Sequence, residues 1–308
     1  MDQPRGGGLT DSYLYEEAGN VCGSVTRIDI GSVRTSYSLG SLAGAAEYCA
    51  YVEVVNETGA SAASATVTGW TLPAAPTSLS GSSVGLDSSE VSWSWTNPSG
   101  TLIDDYLYWE VGSSCDSAGK VDIGSVVTSY SLRSLTGATE YCAYVDAVSA
   151  AGLSAASAVS TATTVPSAPT GLVVSGTTPT SISLAWTNPP GAVINDTVGY
   201  GASCSSISHW NSTSGPAGSY TILDLSPGTD SCFGVQVWSS GGGSSLSFVN
   251  ATTAQSSAGG GTSSNLLLTN PYFVMGAVAA TGLAAGLIAY IIHRRNRIQI
   301  GGPGSPPV

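Results

Sequence analysis

The residues with most capacity for chemistry are six cysteines: Cys22, Cys49, Cys115, Cys142, Cys204 and Cys232. Thiols can bind a soft metal, attack a substrate or close disulfides. A zinc site asks for a C-x-x-C pair or histidines at ligand spacing. The chain has no such cysteine pair, and its only histidines are His209 and His293. It also has no H-E-x-x-H and no phosphate-binding glycine loop followed by lysine. Glu16 with Glu17 and Asp104 with Asp105 are adjacent carboxylates, but neighbours on a strand point to opposite faces, so they read as solvated charges rather than an acid–base pair. No catalytic residue, metal or cofactor is assigned, and the chain is read as a non-enzyme.

Composition agrees. Of the 308 residues 42% are hydrophobic, so cores can form, yet only 9% are charged, against roughly a quarter in ordinary soluble domains. This disfavours a cytosolic enzyme. The formal charge is −12, and it becomes −15 without Arg294, Arg295 and Arg297 near the C-terminus. Upstream, Arg5, Arg27, Arg34, Lys120 and Arg133 are scattered. Neutralising phosphate needs clustered cations, so no nucleic acid is expected as a partner.

The elements that position the cysteines repeat. Tyr13 and Tyr106 stand 93 residues apart, as do Cys22 and Cys115, Tyr37 and Tyr130, Cys49 and Cys142, Pro73 and Pro166, and Pro76 and Pro169. "EYCAYV" occurs at 47–52 and again at 140–145. A third copy is more diverged: "SISLAWTNPPG" (181–191) matches "EVSWSWTNPSG" (90–100), and its cysteine pair holds one extra residue. A fixed period of this length marks a tandem domain array. Within each copy, short alternating runs rich in Val, Tyr, Thr and Leu are separated by Gly, Pro and Ser clusters, the pattern of an antiparallel sandwich.

These copies resemble fibronectin type III domains. The resemblance rests on "PSAPTGLVV" (166–174), "SISLAWTNP" and above all "LTGATEYCAYVDAVSAAGLSAAS" (135–157), in the order of strands A, B and F–G. It implies an all-β fold of tandem immunoglobulin-like, seven-stranded sandwiches with a binding or spacer role. It also implies that Tyr48 and Tyr141 are tyrosine corners, tied to nearby backbone at the start of strand F. "LSPGTDSCFGVQV" (225–237) has Ser231 in that place, so the third copy must be braced differently.

Along strand F, Tyr141, Ala143, Val145 and Ala147 are expected to face the core, and Cys142, Tyr144 and Asp146 to face outward. In the resembled topology the turn holding Cys115 lies at the same end as the start of F. That implies one disulfide per copy, Cys22–Cys49, Cys115–Cys142 and Cys204–Cys232, and an oxidising compartment. Sequons at Asn56, Asn195, Asn211 and Asn250 suit an exported glycoprotein. Trp210 and Trp238 are available to stack on sugar or to cover a sheet edge, and "SSGGGSS" (239–245) is either a binding F–G loop or a flexible connector.

From Pro271 to Ile292 the chain carries no charge, and a basic cluster follows. This predicts a single transmembrane helix, with Tyr272, Phe273 and Tyr290 as interfacial anchors and Gly282 and Gly286 as a helix-packing face. Arg294, Arg295 and Arg297 set the topology, with the N-terminal region outside and the tail in the cytoplasm.

The expected organisation is an incomplete repeat at 1–72, repeats at 73–165 and 166–254, a Ser/Gly/Thr stalk at 255–270, the span at 271–292 and a tail at 293–308. Under the period, Met1 aligns with Ser94, so strands A and B of the first copy are missing. The expectation is that the chain is the C-terminal portion of a longer exported precursor or has a misplaced start; the alternative is that the first copy is a degenerate half-domain leaning on the second. The function expected is a non-catalytic cell-surface adhesion or envelope-spacer protein. Its partners would be the lipid bilayer and surface polysaccharide or another cell-surface protein. The alternative is the membrane-proximal stalk of an exported hydrolase whose catalytic domain lies upstream.

Overall fold

The structure is a computed structural model that describes residues 8–256; every residue described is strand, turn or irregular chain. The first repeat forms β1 (Asp11–Ala18), β2 (Thr26–Asp29), β3 (Glu47–Asn56), β4 (Gly59–Ala60) and β5 (Val67–Trp70). The second forms β6 (Thr77–Val84), β7 (Asp87–Thr96), β8 (Leu102–Val111), β9 (Gly119–Asp122), β10 (Ser129–Leu132), β11 (Glu140–Ser149), β12 (Gly152–Leu153) and β13 (Ser160–Thr163). The third forms β14 (Thr170–Thr177), β15 (Ile182–Thr187), β16 (Asn195–Gly201), β17 (Ile207–Ser212), β18 (Ser219–Ile222), β19 (Asp230–Ser239), β20 (Gly242–Gly243) and β21 (Ser247–Thr252).

The second repeat is a two-layer antiparallel sandwich. A three-stranded sheet in the order β10-β7-β6 faces a five-stranded sheet in the order β12-β11-β8-β9, with β13 also paired to β11. Alternation explains the core: Val91, Trp93 and Trp95 from β7 meet Leu107 from β8 and Tyr141, Ala143 and Val145 from β11. The third repeat repeats the plan with β14-β15-β18 against β17-β16-β19-β20 and β21. Its core is Ile182, Leu184, Trp186, Val198, Phe233 and Val235.

The first repeat is different. Its described residues form one five-stranded sheet, β2-β1-β3-β4 with β5 on β3. The stretch 36–39, equivalent to β10, makes no strand, because the strand that would pair with it has no counterpart among the described residues. The inner face of this sheet is correspondingly barer. Val52 is 40% exposed where its counterpart Val145 is fully buried.

On β11 the expected core positions are buried, but two of the expected outward positions are buried as well. Cys142 is fully buried and Asp146 is 8% exposed. The side chains do alternate between faces; the outer face is simply not bare, since a disulfide and flanking tyrosines cover it. The expected span at 271–292, with Gly282, Gly286, Arg294, Arg295 and Arg297, and most of the stalk lie outside the described residues. Among the described residues no helix is long and apolar enough to cross a membrane.

Candidate binding surfaces

The cysteines pair within repeats, Cys22–Cys49, Cys115–Cys142 and Cys204–Cys232, with Cα atoms 5.7, 5.8 and 5.1 Å apart. Each bridge ties the long strand at the sheet centre to the turn after the neighbouring strand. A glutamate steadies that turn in two repeats. The Glu17 carboxylate accepts from the Gly23 and Ser24 amides, and Glu110 accepts from the Ser117 amide. At the start of β3 and β11 the Tyr48 hydroxyl accepts from the Ala43 amide at 2.9 Å, and the Tyr141 hydroxyl from the Thr136 amide at 2.8 Å. In the third repeat a cavity of about 180 Å³, lined by Ser231, Tyr200, Thr229 and Thr253 among others, stands where that tyrosine ring would be.

A two-sheet sandwich with a tied tyrosine at the head of its central strand, in tandem, specifies a family. The Fibronectin type III domain matches residues 74–163 and 167–253. The chain belongs to the fibronectin type III family. Two solved structures resemble it. One is a two fibronectin type-III domain segment from chicken tenascin, with 21% identity and a TM-score of 0.40, covering 58% of this chain and 99% of that one. The other is the chicken CNTN1 FN1-FN3 domains, with 17% identity and a TM-score of 0.37, covering 80% of this chain and 90% of that one.

The fibronectin type III repeats here share a buried polar clamp. In the second, Trp95 Nε1 donates to Asn97 Oδ1, and Asn97 Nδ2 donates to both Asp105 Oδ2 and the Val127 carbonyl. The Val127 amide also donates to Asp105 Oδ2. Trp186, Asn188, Asp196 and Ala217 reproduce these bonds in the third. Asp105 is therefore not a solvated charge: it is fully buried. Burial pushes its carboxyl above the ordinary value, and the Asn97 and Val127 donors pull back against that. The recurrence of W-T-N with an aspartate eight residues after the asparagine was the sequence signal for this clamp.

The repeats also seat on one another. Gly100, at φ +119°, lies against Gly44 and Ala45, and the Thr101 amide donates to the Ala45 carbonyl at 2.8 Å. Gly191, at φ +116°, lies against Gly137 and Ala138, and the Ala192 amide donates to the Ala138 carbonyl at 2.8 Å. The glycine-rich 239–245 loop is neither free nor a connector. Ser239 donates to the Thr164 carbonyl, Ser240 to Thr163 Oγ1, and Ser83 to the Gly241 carbonyl. A Cβ on Gly241 would sit 2.0 Å from the Thr163 carbonyl oxygen, so only glycine fits this approach. The second repeat has Ala150 and Ala151 at the matching positions, lacking one hydroxyl and adding one methyl. This accounts for the looser seat on the first repeat, where Leu72 is 55% exposed and its counterpart Val165 only 1%.

A cleft of about 450 Å³ beside the tighter seat is lined by Ser82, Ser83, Glu140, Thr161, Thr163 and Ser240, among others. Residues Gly81 to Gly85 spell the G-x-S-x-G of a nucleophile elbow. They form the β6–β7 hairpin rather than a strand-to-helix turn, and Ser83 is engaged by Gly241. His209, the one histidine among the described residues, is stacked on Tyr200. Among the described residues no cluster of His, Cys, Asp or Glu could hold a metal.

Asn250 is exposed on β21, while Asn56, Asn195 and Asn211 are half-buried at or within strands. Trp210 lies over Gly199, and Trp238 Nε1 donates to Thr197 Oγ1 at 3.1 Å. Both tryptophans thus lie along the face of the third repeat's larger sheet rather than capping its edge.

Proposed function

We propose that this chain is a non-catalytic cell-surface module for adhesion or envelope spacing, held by one membrane span over 271–292. The repeats stand outside and the tail from His293 inside. The observation that carries the reading is the repeated seat: the second and third fibronectin type III repeats each dock a glycine turn directly onto the preceding repeat, which limits the hinge motion that tandem modules otherwise have. The disulfides and the low charge density support an oxidising exterior. The uncharged stretch before Arg294, Arg295 and Arg297 supports the anchor. Asn250 has the room for a glycan.

Partners at such a surface are envelope polysaccharide or another surface protein. The test is twofold. Protease added to intact cells is expected to release the repeats and spare a tag on the tail, and purified protein is expected to be retained on whole cells. A tail digested from outside would sink the topology, and no retention on any surface would sink adhesion.

A further inference from the structure

One pattern occurs twice on the outer face of the larger sheets. In the first repeat Tyr13 and Tyr15 on β1 and Tyr51 on β3 stand beside Arg27 on β2; in the second Tyr106 and Tyr108 on β8 and Tyr144 on β11 stand beside Lys120 on β9. In both, the cation lies over the first tyrosine, Arg27 Cζ at 4.7 Å from the Tyr13 ring and Lys120 Nζ at 3.8 Å from the Tyr106 ring. In both, the other two tyrosines stack at 4.7 Å, Tyr15 on Tyr51 and Tyr108 on Tyr144.

Two residues beyond the central-strand tyrosine, the repeats part. Glu53 of the first accepts a hydrogen bond from the Tyr15 hydroxyl at 2.9 Å. Gln236, at the matching place in the third, donates to the Ser244 carbonyl at 2.6 Å. The second repeat has the shorter Asp146, which is 8% exposed and whose Oδ1 has no hydrogen-bond partner. A carboxylate taken from water without a partner is costly, and such a group is satisfied by a cation brought to it.

We propose that Asp146 and the three tyrosines around it form a seat for an arginine side chain of a protein partner. A guanidinium can donate to the carboxylate and lie against a phenol ring at once, which an ammonium does less well. Charge agrees. The same face carries Asp104, Glu110 and Asp122 against a single cation, Lys120, which lies 4.0 Å from the Asp122 carboxylate and already uses the Tyr106 ring in the way the partner's arginine would. Tyr106, Tyr108 and Tyr144 are half-buried, so a guanidinium reaches the carboxylate by moving a ring edge and leaves the core closed. The proposal rests on the adhesive reading above only for where the partner is met.

The test uses the full chain in detergent micelles at about physiological salt, where surface attraction is largely screened. Labelled oligoarginine, oligolysine and uncharged citrulline hexapeptides are titrated by fluorescence anisotropy. D146N is expected to weaken oligoarginine binding about 10-fold or more. E53Q, which removes the same charge from the already satisfied site, is expected to change it less than about 2-fold. K120Q frees both the Tyr106 ring and the Asp122 carboxylate and is expected to strengthen binding about 3-fold, a gain that misfolding cannot produce. Oligoarginine should bind more tightly than oligolysine, and the citrulline peptide should not bind. Equal losses in D146N and E53Q would show general attraction to an acidic chain and overturn the seat, as would absence of oligoarginine binding or of any gain in K120Q. Peptide binding that ignores Asp146 overturns the seat and leaves adhesion standing. Failure of retention on cells overturns adhesion and leaves the peptide result intact.

Discussion

Tyr48 and Tyr141 each satisfy a backbone amide five residues upstream, and Ser231 is too short to do so. What remains is the cavity of about 180 Å³ beside Tyr200. Ser231→Tyr is expected to fill it and raise the third repeat's stability by about 1 kcal/mol, read as a higher urea midpoint; a lower midpoint would mean overpacking. Asp146 gives a prediction of opposite origin. Burial raises its folded carboxyl above the ordinary value of 3.8. The folded state therefore prefers the protonated form, and that contribution is fully present below the unfolded value and lost as pH rises through the folded one. D146N removes this dependence. It is expected to match the native chain near pH 3 and to exceed it in stability at pH 7, measured by urea unfolding at several pH values. Equal stability at pH 7 would show that the carboxylate is not destabilised.

The long strands β3, β11 and β19 each carry one bridge to the turn after the neighbouring strand. Loops of this separation, 27, 27 and 28 residues, restrict the unfolded chain enough to stabilise a domain by roughly 3 kcal/mol in the chain-entropy picture. The double variant Cys115→Ala, Cys142→Ala is expected to lose about that much from the second repeat alone. The measurement is the unfolding midpoint of that repeat, followed by its core tryptophans Trp93 and Trp95. Loss of all structure would mean that the repeats do not fold separately. The pairing and the corners were legible through the resemblance to fibronectin type III domains, which places both at fixed offsets along one hairpin-rich unit. The Trp–Asn–Asp clamp was half legible. Its letters recur, but the burial of Asp105 depends on Val127, which comes from a different loop.

Across the chain, the seats between repeats decide whether the modules move together. Only the third repeat carries the serine and glycine that let its loop touch the preceding backbone, so the coupling between the second and third repeats is the stronger one. Gly241→Val is expected to break it, splitting one thermal transition for these two repeats into two in calorimetry and leaving each core intact. A single transition in the variant would mean that the loop contributes no coupling. In the first repeat the inner face of the described sheet is partly bare.

The sequence by itself determined the all-β class and the period of 93, and its resemblance to fibronectin type III domains implied the bridge within each copy and the tyrosine at the head of strand F. The class and the period are encoded by alternation, by turn residues and by spacing, all of which act over a few residues or repeat at a constant offset. Only the tertiary structure decided what covers the outer faces. Adjacent carboxylates at 104 and 105 were divided between surface and core, a glycine loop became a seat, and Asp146 was buried with an unpaired oxygen. The physical reason is that alternation assigns a side chain to a face, whereas burial depends on which distant strand or repeat packs over that face, and no local pattern states that.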